Sequence, residues 1–442
     1  MPRPQTKYAK CGDLNIAYQV FGEGPLDLLY AQGWVTNVEY AWESPDYARF
    51  LTKLSRFARV ICFDKRGTGM SDRDVGIATL EQRSEDINAV LDTVGSEKAA
   101  LLGVSEGGAI CSVFAATFPE RVSHLINYGS RSKYVWSPDY PYGLKPDEIE
   151  AEMTNFIENW GGPFPLTTGA PSVANDPAAS EWWAAYLRFS ASPRAAEQLT
   201  RMNYEIDYRS ILPTIHVPTL ILHREGDLWC PIEHARYIAE NVPGAELRIL
   251  PGDDHLPWFG DQDALVTEIQ EFVTGKTAGP SVGRVLLTLV FLDIVASTDQ
   301  LAAMGDERWR SVLEQLDDTV DRRVAGFGGQ RVKHTGDGYL LSFAGPTSAV
   351  ECAQAVNYDV ERLGLQSKTG VHTGECERRG DDLSGMAVHI AARIMSAAEP
   401  KMIATSQTVK DLSVGSGLDF KPLGGHELRG VPGEWQLYAV ID

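Results

Sequence analysis

Short apolar runs alternating with amphipathic stretches mark the first third of the chain. Residues 26–30, 60–63 and 99–104 are β-rich, and residues 80–94 repeat their apolar positions at helical spacing. That alternation predicts a parallel sheet with helices on both faces. Two further strands are predicted at residues 219–223 and 246–250, each followed by a loop rich in Gly, Asp and Pro, so the sheet resumes there. Between them, residues 132–212 turn helical and aromatic, with Trp136, Trp160, Trp182, Trp183, Tyr186 and Phe189. An insertion of that size is expected to form a lid over the strand ends, where such sheets bind ligands. For any single aromatic, a packing layer without ligand contact is the plainer reading.

Residues 275–283, Gly-Lys-Thr-Ala-Gly-Pro-Ser-Val-Gly, have the small, breaker-rich character of a linker. After them the pattern changes. A strand at 284–292, an amphipathic helix at 306–324, a hairpin over 330–343, a helix over 347–363 and a strand near 368–372 predict an α+β unit. The expected domains are therefore 1–274, with its lid at about 132–212, and 284–442. Internal repeats and low-complexity tracts are absent from the sequence.

Composition narrows the function classes. A chain of 442 residues, 43% of them hydrophobic, is too long for one compact core. The formal net charge of −20 opposes general attraction to nucleic acid or anionic lipid, so an anionic ligand must be held locally. The longest mainly apolar run, residues 285–296, contains Asp293 and falls short of the ~20 residues a membrane helix needs. No membrane insertion is expected. Residues 1–10 are polar, unlike a secretory signal, and six cysteines without paired spacing are expected to be reduced and structural; a cytoplasmic protein follows.

Candidate chemistry in the first half centres on Gly103-Val104-Ser105-Glu106-Gly107, between an apolar strand and a helix-forming run. Small residues let a tight strand-to-helix turn close, with Ser105 Oγ pointing out of the sheet. The backbone N–H of Glu106 would then be one oxyanion donor, and that of Trp34, in the loop Gln32-Gly33-Trp34, a second. A serine hydroxyl needs a base to take its proton and an acid to orient that base. Asp227 and His255, each in the loop after a predicted strand, supply both. His223 and His234 are read as structural, and Asp253 and Asp254 as shaping the loop around His255.

These motifs, over about residues 8–273, resemble the α/β-hydrolase superfamily. Residues 64–72, Asp-Lys-Arg-Gly-Thr-Gly-Met-Ser-Asp, are similar to the Asp-x-Arg-Gly-x-Gly-x-Ser loop of lid-bearing members, where the loop is mainly structural. Gln32-Gly33 departs from the His-Gly of many members. A serine nucleophile, where dehalogenases and epoxide hydrolases of the superfamily carry Asp, implies hydrolysis of an ester, thioester or related acyl compound, without a cofactor. A degenerate triad kept as a ligand pocket is the competing reading.

In the second half, Asp293 ends an apolar strand, and Asp337 lies in the tight turn Thr335-Gly336-Asp337-Gly338. Glycines beside it let a polyphosphate approach the backbone. Two carboxylates brought together by adjacent strands can hold two Mg²⁺ or Mn²⁺ ions, which favour carboxylate and phosphate oxygens.

Four segments resemble class III nucleotide cyclases over about residues 283–442: Phe291-x-Asp293-Ile294; Lys333-x-x-Gly336-Asp337-Gly338; Gly370-Val371-His372-Thr373-Gly374-Glu375; and Asp382-x-x-Gly385-x-x-Val388-His389-x-Ala391-Ala392-Arg393. The resemblance implies a ferredoxin-like α+β fold with Asp293, Ile294 and Asp337 at the metals. Lys333 and Asp382 match the base-selecting pair: lysine donates to adenine N1 and aspartate accepts from the 6-amino group, so ATP is the expected substrate. Arg393 matches the residue that stabilises phosphate charge, and His389 stands where many members orient the ribose with Asn. His372 and Glu375 are read as structural. In that family the metal carboxylates and the base-selecting pair come from different subunits, which implies a homodimer with two composite sites. The whole arrangement resembles the hydrolase-cyclase fusions of actinobacteria. Two alternatives stay open: a hydrolase half that only senses a ligand, and a cyclase half that is an inactive scaffold.

Overall fold

The computed structural model describes residues 3–76, 78–163, 166–275, 284–334, 338–379 and 382–441. Two compact units divide it, residues 1–282 and 283–442, each built on its own sheet. In the first, eight strands lie in the order β1 (Lys7–Cys11), β2 (Leu14–Phe21), β4 (Ala58–Phe63), β3 (Leu26–Ala31), β5 (Ala99–Val104), β6 (Val122–Tyr128), β7 (Thr219–Arg224) and β8 (Glu246–Leu250). The β1–β2 and β2–β4 pairs are antiparallel and the remaining pairs parallel.

Every residue of β5 is buried, as expected of a parallel strand covered on both faces. The helix Gly107–Thr117 that follows has no polar face and is buried throughout, which anchors the turn between them. The helix Leu80–Thr93 starts at a capping box in which Thr79 and Gln82 satisfy each other's backbone amides. β6 completes the sheet where the sequence pattern is weak, because Ser123 and His124 interrupt its apolar run.

Residues between β6 and β7 form the helices Pro146–Asn159, Pro177–Ser190 and Pro193–Glu205, each with proline in its first turn. Asp176 and Ser192 cap the last two. Trp182, Trp183, Tyr186 and Leu187 join the same apolar core as Leu28 and Val60, so packing explains them. Trp136 and Phe189 are exposed.

The second sheet runs β10 (Gln330–His334), β11 (Gly338–Phe343), β9 (Arg284–Ile294), β12 (Ser367–Arg379), β14 (Ile403–Ser406), β16 (Glu434–Ile441) and β15 (Asp419–Glu427), with β13 (Asp382–Ser384) paired to β12. Side chains of β9 alternate as the strand period requires. Val290, Leu292 and Ile294 pack under the helices Asp306–Gly326 and Pro346–Arg362, whereas Leu287, Leu289 and Phe291 face the helix Met386–Ala397. Among the described residues no helix is long and apolar enough to cross a membrane. All six cysteines are free.

Candidate active sites

Ser105 occupies the turn from β5 into the helix Gly107–Thr117 with φ +54°, a left-handed conformation uncommon outside glycine. Its neighbours must be glycine for space. A Cβ on Gly107 would stand 2.0 Å from the Ala31 carbonyl oxygen, and one on Gly103 2.6 Å from Gly108 Cα. The Ser105 N–H donates to the Tyr128 carbonyl at 2.9 Å, and Ser130 Oγ donates to the Ser105 carbonyl at 2.9 Å. The end of β6 therefore clamps the turn.

The same segment also packs against the other two triad candidates, which follow β7 and β8. Gly129, at φ +57°, lies against the His255 ring, where an added Cβ would be 3.0 Å from Cε1 and 3.6 Å from Asp227 Oδ2. His255 Nδ1 and Asp227 Oδ2 share a buried hydrogen bond of 2.7 Å. Asp227 Oδ1 accepts from the amides of Trp229 and Cys230, both at 2.9 Å. Burial alone would raise the Asp227 pKa, but His255, His223 and the Cys230 amide outweigh it and hold the carboxyl below its ordinary value. His223 Nε2 is bonded to the Cys230 carbonyl at 2.6 Å and His234 Nδ1 to the Tyr140 hydroxyl at 2.6 Å, as structural histidines are. Asp254 accepts from the Ser172 amide at 3.0 Å and shapes its loop.

The oxyanion side departs from expectation. Trp34, at φ +57°, donates its backbone N–H to Glu106 Oε2 at 3.0 Å, so that amide is committed to a carboxylate and does not stand open as the second oxyanion donor. The Glu106 amide begins the helix Gly107–Thr117, beside Ser105. Its side chain, 1% exposed, is also bonded by Lys65 Nζ and Arg83 Nη1. Burial pushes the Glu106 carboxyl up, yet the two cations bring it below its ordinary range. Lys65 additionally donates to the Trp34 carbonyl at 2.8 Å. Neither cation was singled out from the sequence; a glutamate placed in a fully apolar strand–helix junction was the signal that buried cations must accompany it.

A cavity of about 390 Å³ opens onto Ser105 and Glu106 and is walled by Trp34, Phe156, Trp229 and Arg131. Trp34 packs on Phe156, Trp160 and Trp229 with ring centroids 5.6, 5.5 and 5.7 Å apart. The helical insertion thus contributes to the pocket as well as to the core.

In the second unit, Gly338 pairs with Asp293 across β11 and β9, and Leu340 pairs with both Phe291 and Lys333. Paired positions share a face, so Lys333 lies on the side of the sheet that carries Leu289 and Phe291, where the helix Met386–Ala397 packs. That helix presents His389 and Arg393 four residues apart, both exposed, with Arg393 Nε donating to the Arg429 carbonyl at 3.1 Å. β13, which begins at Asp382, approaches β10. Asp293 is half-buried with Lys368 Nζ 3.6 Å from its carboxylate, a neighbour the motifs did not reveal. The Ile294 side chain is buried, which leaves its carbonyl as the group able to meet a cation. Asp337 and the Asp382 side chain lie outside the described residues. Among those described, no group of three or more His, Cys, Asp or Glu is placed to hold a metal. His372 is buried, bonded to Ser406 Oγ at 2.8 Å, and its pKa is pushed down to about 3 by that burial.

A pimeloyl-[acyl-carrier protein] methyl ester esterase of Vibrio campbellii is 27% identical over 58% of this chain and 98% of its own length. A karrikin insensitive 2 receptor of Petunia hybrida is 23% identical over 56% of this chain and 92% of its own. Among solved structures, an esterase from Exiguobacterium antarcticum shares the fold at 23% identity and TM-score 0.52, covering 61% of this chain and all of the esterase (100%). With its residues 28–261 matching the alpha/beta hydrolase fold and 284–442 the adenylate and guanylate cyclase catalytic domain, the chain belongs to the α/β-hydrolase family and carries a cyclase catalytic domain behind it.

Proposed function

We propose that the chain is an adenylate cyclase, converting ATP to cAMP and pyrophosphate within a homodimer, fused to a serine hydrolase that cleaves an acyl ester. The hydrolase reading rests on the 2.7 Å bond between Asp227 and His255. A proton held at Nδ1 leaves Nε2 as the base. His255 takes the Ser105 proton as Oγ attacks the acyl carbonyl, then returns it to the leaving alcohol, and Asp227 stabilises the imidazolium between those steps. Water repeats the sequence on the acyl-enzyme.

The cyclase reading is supported by the register that sets Gly338 against Asp293 and puts Lys333 on the face of the sheet where the helix bearing His389 and Arg393 packs. Oxygen donors at a partly open strand end suit hard cations, so Asp293, the Ile294 carbonyl and Asp337 would hold two Mg²⁺ or Mn²⁺. Bound there, the ions supply activation of the ribose 3′-hydroxyl and charge neutralisation of the triphosphate. Lys333 and Asp382 read adenine, His389 donates to the ribose, and Arg393 faces the phosphates, with the base-reading pair serving the partner's site. Formation of cAMP from ATP with Mn²⁺ by the full chain, and its loss in Asp337→Ala, tests this. No product from the folded dimer leaves the second unit a scaffold.

A second reading, in which the hydrolase unit senses a ligand and regulates the cyclase, draws on the committed Trp34 amide. One of two oxyanion donors is then unavailable unless Glu106 yields. Turnover of p-nitrophenyl esters that disappears in Ser105→Ala favours the enzyme; ligand-dependent cyclase rates without ester turnover favour the sensor.

A further inference from the structure

Buried cations in the first unit are matched with care, with one exception. Lys65 and Arg83 share the Glu106 carboxylate. Arg66 is bonded to Asp86 through Nε and Nη2. Arg224 spreads its guanidinium over the carbonyls of Asp254 and Phe259 at 2.8 and 2.7 Å. Arg131 is only 8% exposed, yet among the described residues no carboxylate forms an ion pair with it: Nη2 donates to the Trp229 carbonyl and the guanidinium also meets the Cys230 side chain. Its Cζ lies over the Tyr134 ring, 4.7 Å from the centroid.

A guanidinium carries five N–H donors and stays charged. Leaving most of them unmatched in a low-dielectric setting is unfavourable. They are not sealed in protein: none of the Arg131 nitrogens is among the buried atoms that lack a partner, and the residue lines the cavity that contains Ser105. Two acids bear on its charge: Glu152 on that cavity wall, which is exposed and accepts from the Tyr204 hydroxyl at 2.7 Å, and Asp227, whose carboxylate is already engaged by His255. Glu106, on the same wall, is outnumbered by its two cations. Trp34, Phe156 and Trp229 give the cavity an aromatic wall, beside the polar Thr200 and Asn203.

We propose that Arg131 is the anion-recognition residue of the Ser105 cavity, and that the natural ligand is an acyl compound carrying a carboxylate at the end of an apolar segment. This rests on the hydrolase reading for turnover, although recognition itself does not. A carboxylate meets a guanidinium through two parallel hydrogen bonds, and the aromatic wall takes the hydrocarbon between the ester and the charge. A neutral ester of the same length leaves the cation unmatched and is rejected accordingly.

Binding and turnover separate the two readings. Full-length Ser105→Ala is titrated with monomethyl adipate and with dimethyl adipate by isothermal calorimetry, and the native chain is assayed with mono-p-nitrophenyl esters of succinic, glutaric and adipic acids beside p-nitrophenyl butyrate and hexanoate. The expected result is a Kd for the monomethyl ester roughly tenfold or more below that of the dimethyl ester, the discrimination a lost charged contact produces. In Arg131→Gln the ratio falls to about one, and in Arg131→Lys, which keeps the charge without the fork, it is intermediate. Anion-selective binding without hydrolysis of any ester supports the subsite and removes the hydrolase reading. Hydrolysis with equal kcat/KM for charged and neutral esters, no saturable binding of the monomethyl ester, or a preference that survives Arg131→Gln overturns the subsite.

Discussion

The backbone N–H of Trp34 and the carboxylate of Glu106 are joined at 3.0 Å, and this bond ties the loop after β3 to the residue that follows Ser105. Glu106 is the sole carboxylate bonded to Lys65 and Arg83 in the ion pairs described, one anion between two cations. Glu106→Gln removes the anion and leaves two buried cations facing each other. Breaking such a set by deleting one member is expected to destabilise the first unit by about 3–5 kcal/mol. Calorimetry of the full chain should show the corresponding transition falling by roughly 10 °C. A shift within about 1 kcal/mol would show that the cations find other partners.

Gly129 offers a way to test the proposed base, His255, without substituting Ser105, Asp227 or His255. Its φ of +57° disfavours any side chain, and a Cβ would press on the His255 ring from 3.0 Å. Gly129→Ala is expected to displace the imidazole from the Ser105 side and lower ester kcat by about a hundredfold, the scale of a misplacement near 1 Å. Asp227→Asn, which leaves the volume but reverses the tautomer, should cost about 10⁴ in kcat. If Gly129→Ala hydrolyses p-nitrophenyl esters at the native rate, the clamp by the end of β6 has no catalytic part.

His372 makes stability depend on pH in a definite direction. Its folded-state pKa is about 3 because it is buried, against an unfolded value of ~6.5. Between those values the unfolded chain holds a proton that the folded chain lacks, so stability is full above ~6.5 and declines as pH falls toward 3. From pH 7 to pH 5 this one group should lower the unfolding free energy of the second unit by about 2 kcal/mol. Urea denaturation of His372→Gln beside the native chain isolates it. Identical pH slopes would place the loss on other groups.

Much of this was legible in the sequence where apolar runs were uninterrupted. β5, β8 and the hairpin of β10 and β11 follow directly from periodicity, and the glycines around Ser105 mark the turn because no larger residue fits between Ala31 and Gly108. β6 was hidden by Ser123 and His124, and the antiparallel β1 and β2 by their mixed polarity. The engagement of Trp34 with Glu106 could not be read at all, since residues 72 positions apart meet only once β3 lies against β5. Likewise Lys65 sits at the variable position of a structural loop, and no sequence motif includes Arg131. Pattern reports what each segment does alone; the partners of a buried charge are a property of the packed whole.

Complementation tests the composite cyclase site most directly. The proposed dimer puts Asp293 and Lys333 in different halves of each site, Asp293 with the metals and Lys333 with the partner's adenine. Asp293→Ala and Lys333→Ala should each lower cAMP formation by about 10²-fold or more when assayed alone, the scale on which one transition-state charge partner is missed. Mixed and allowed to exchange, half of the dimers carry one of each variant, and in these one of the two sites has every group intact. About a quarter of native activity should therefore return, by the closed two-fold symmetry of such a dimer. Recovery that scales with the square of protein concentration at low concentration would tie it to assembly. Were each subunit to hold a complete site by itself, no mixture would regain activity, because every site would lack either the carboxylate or the lysine.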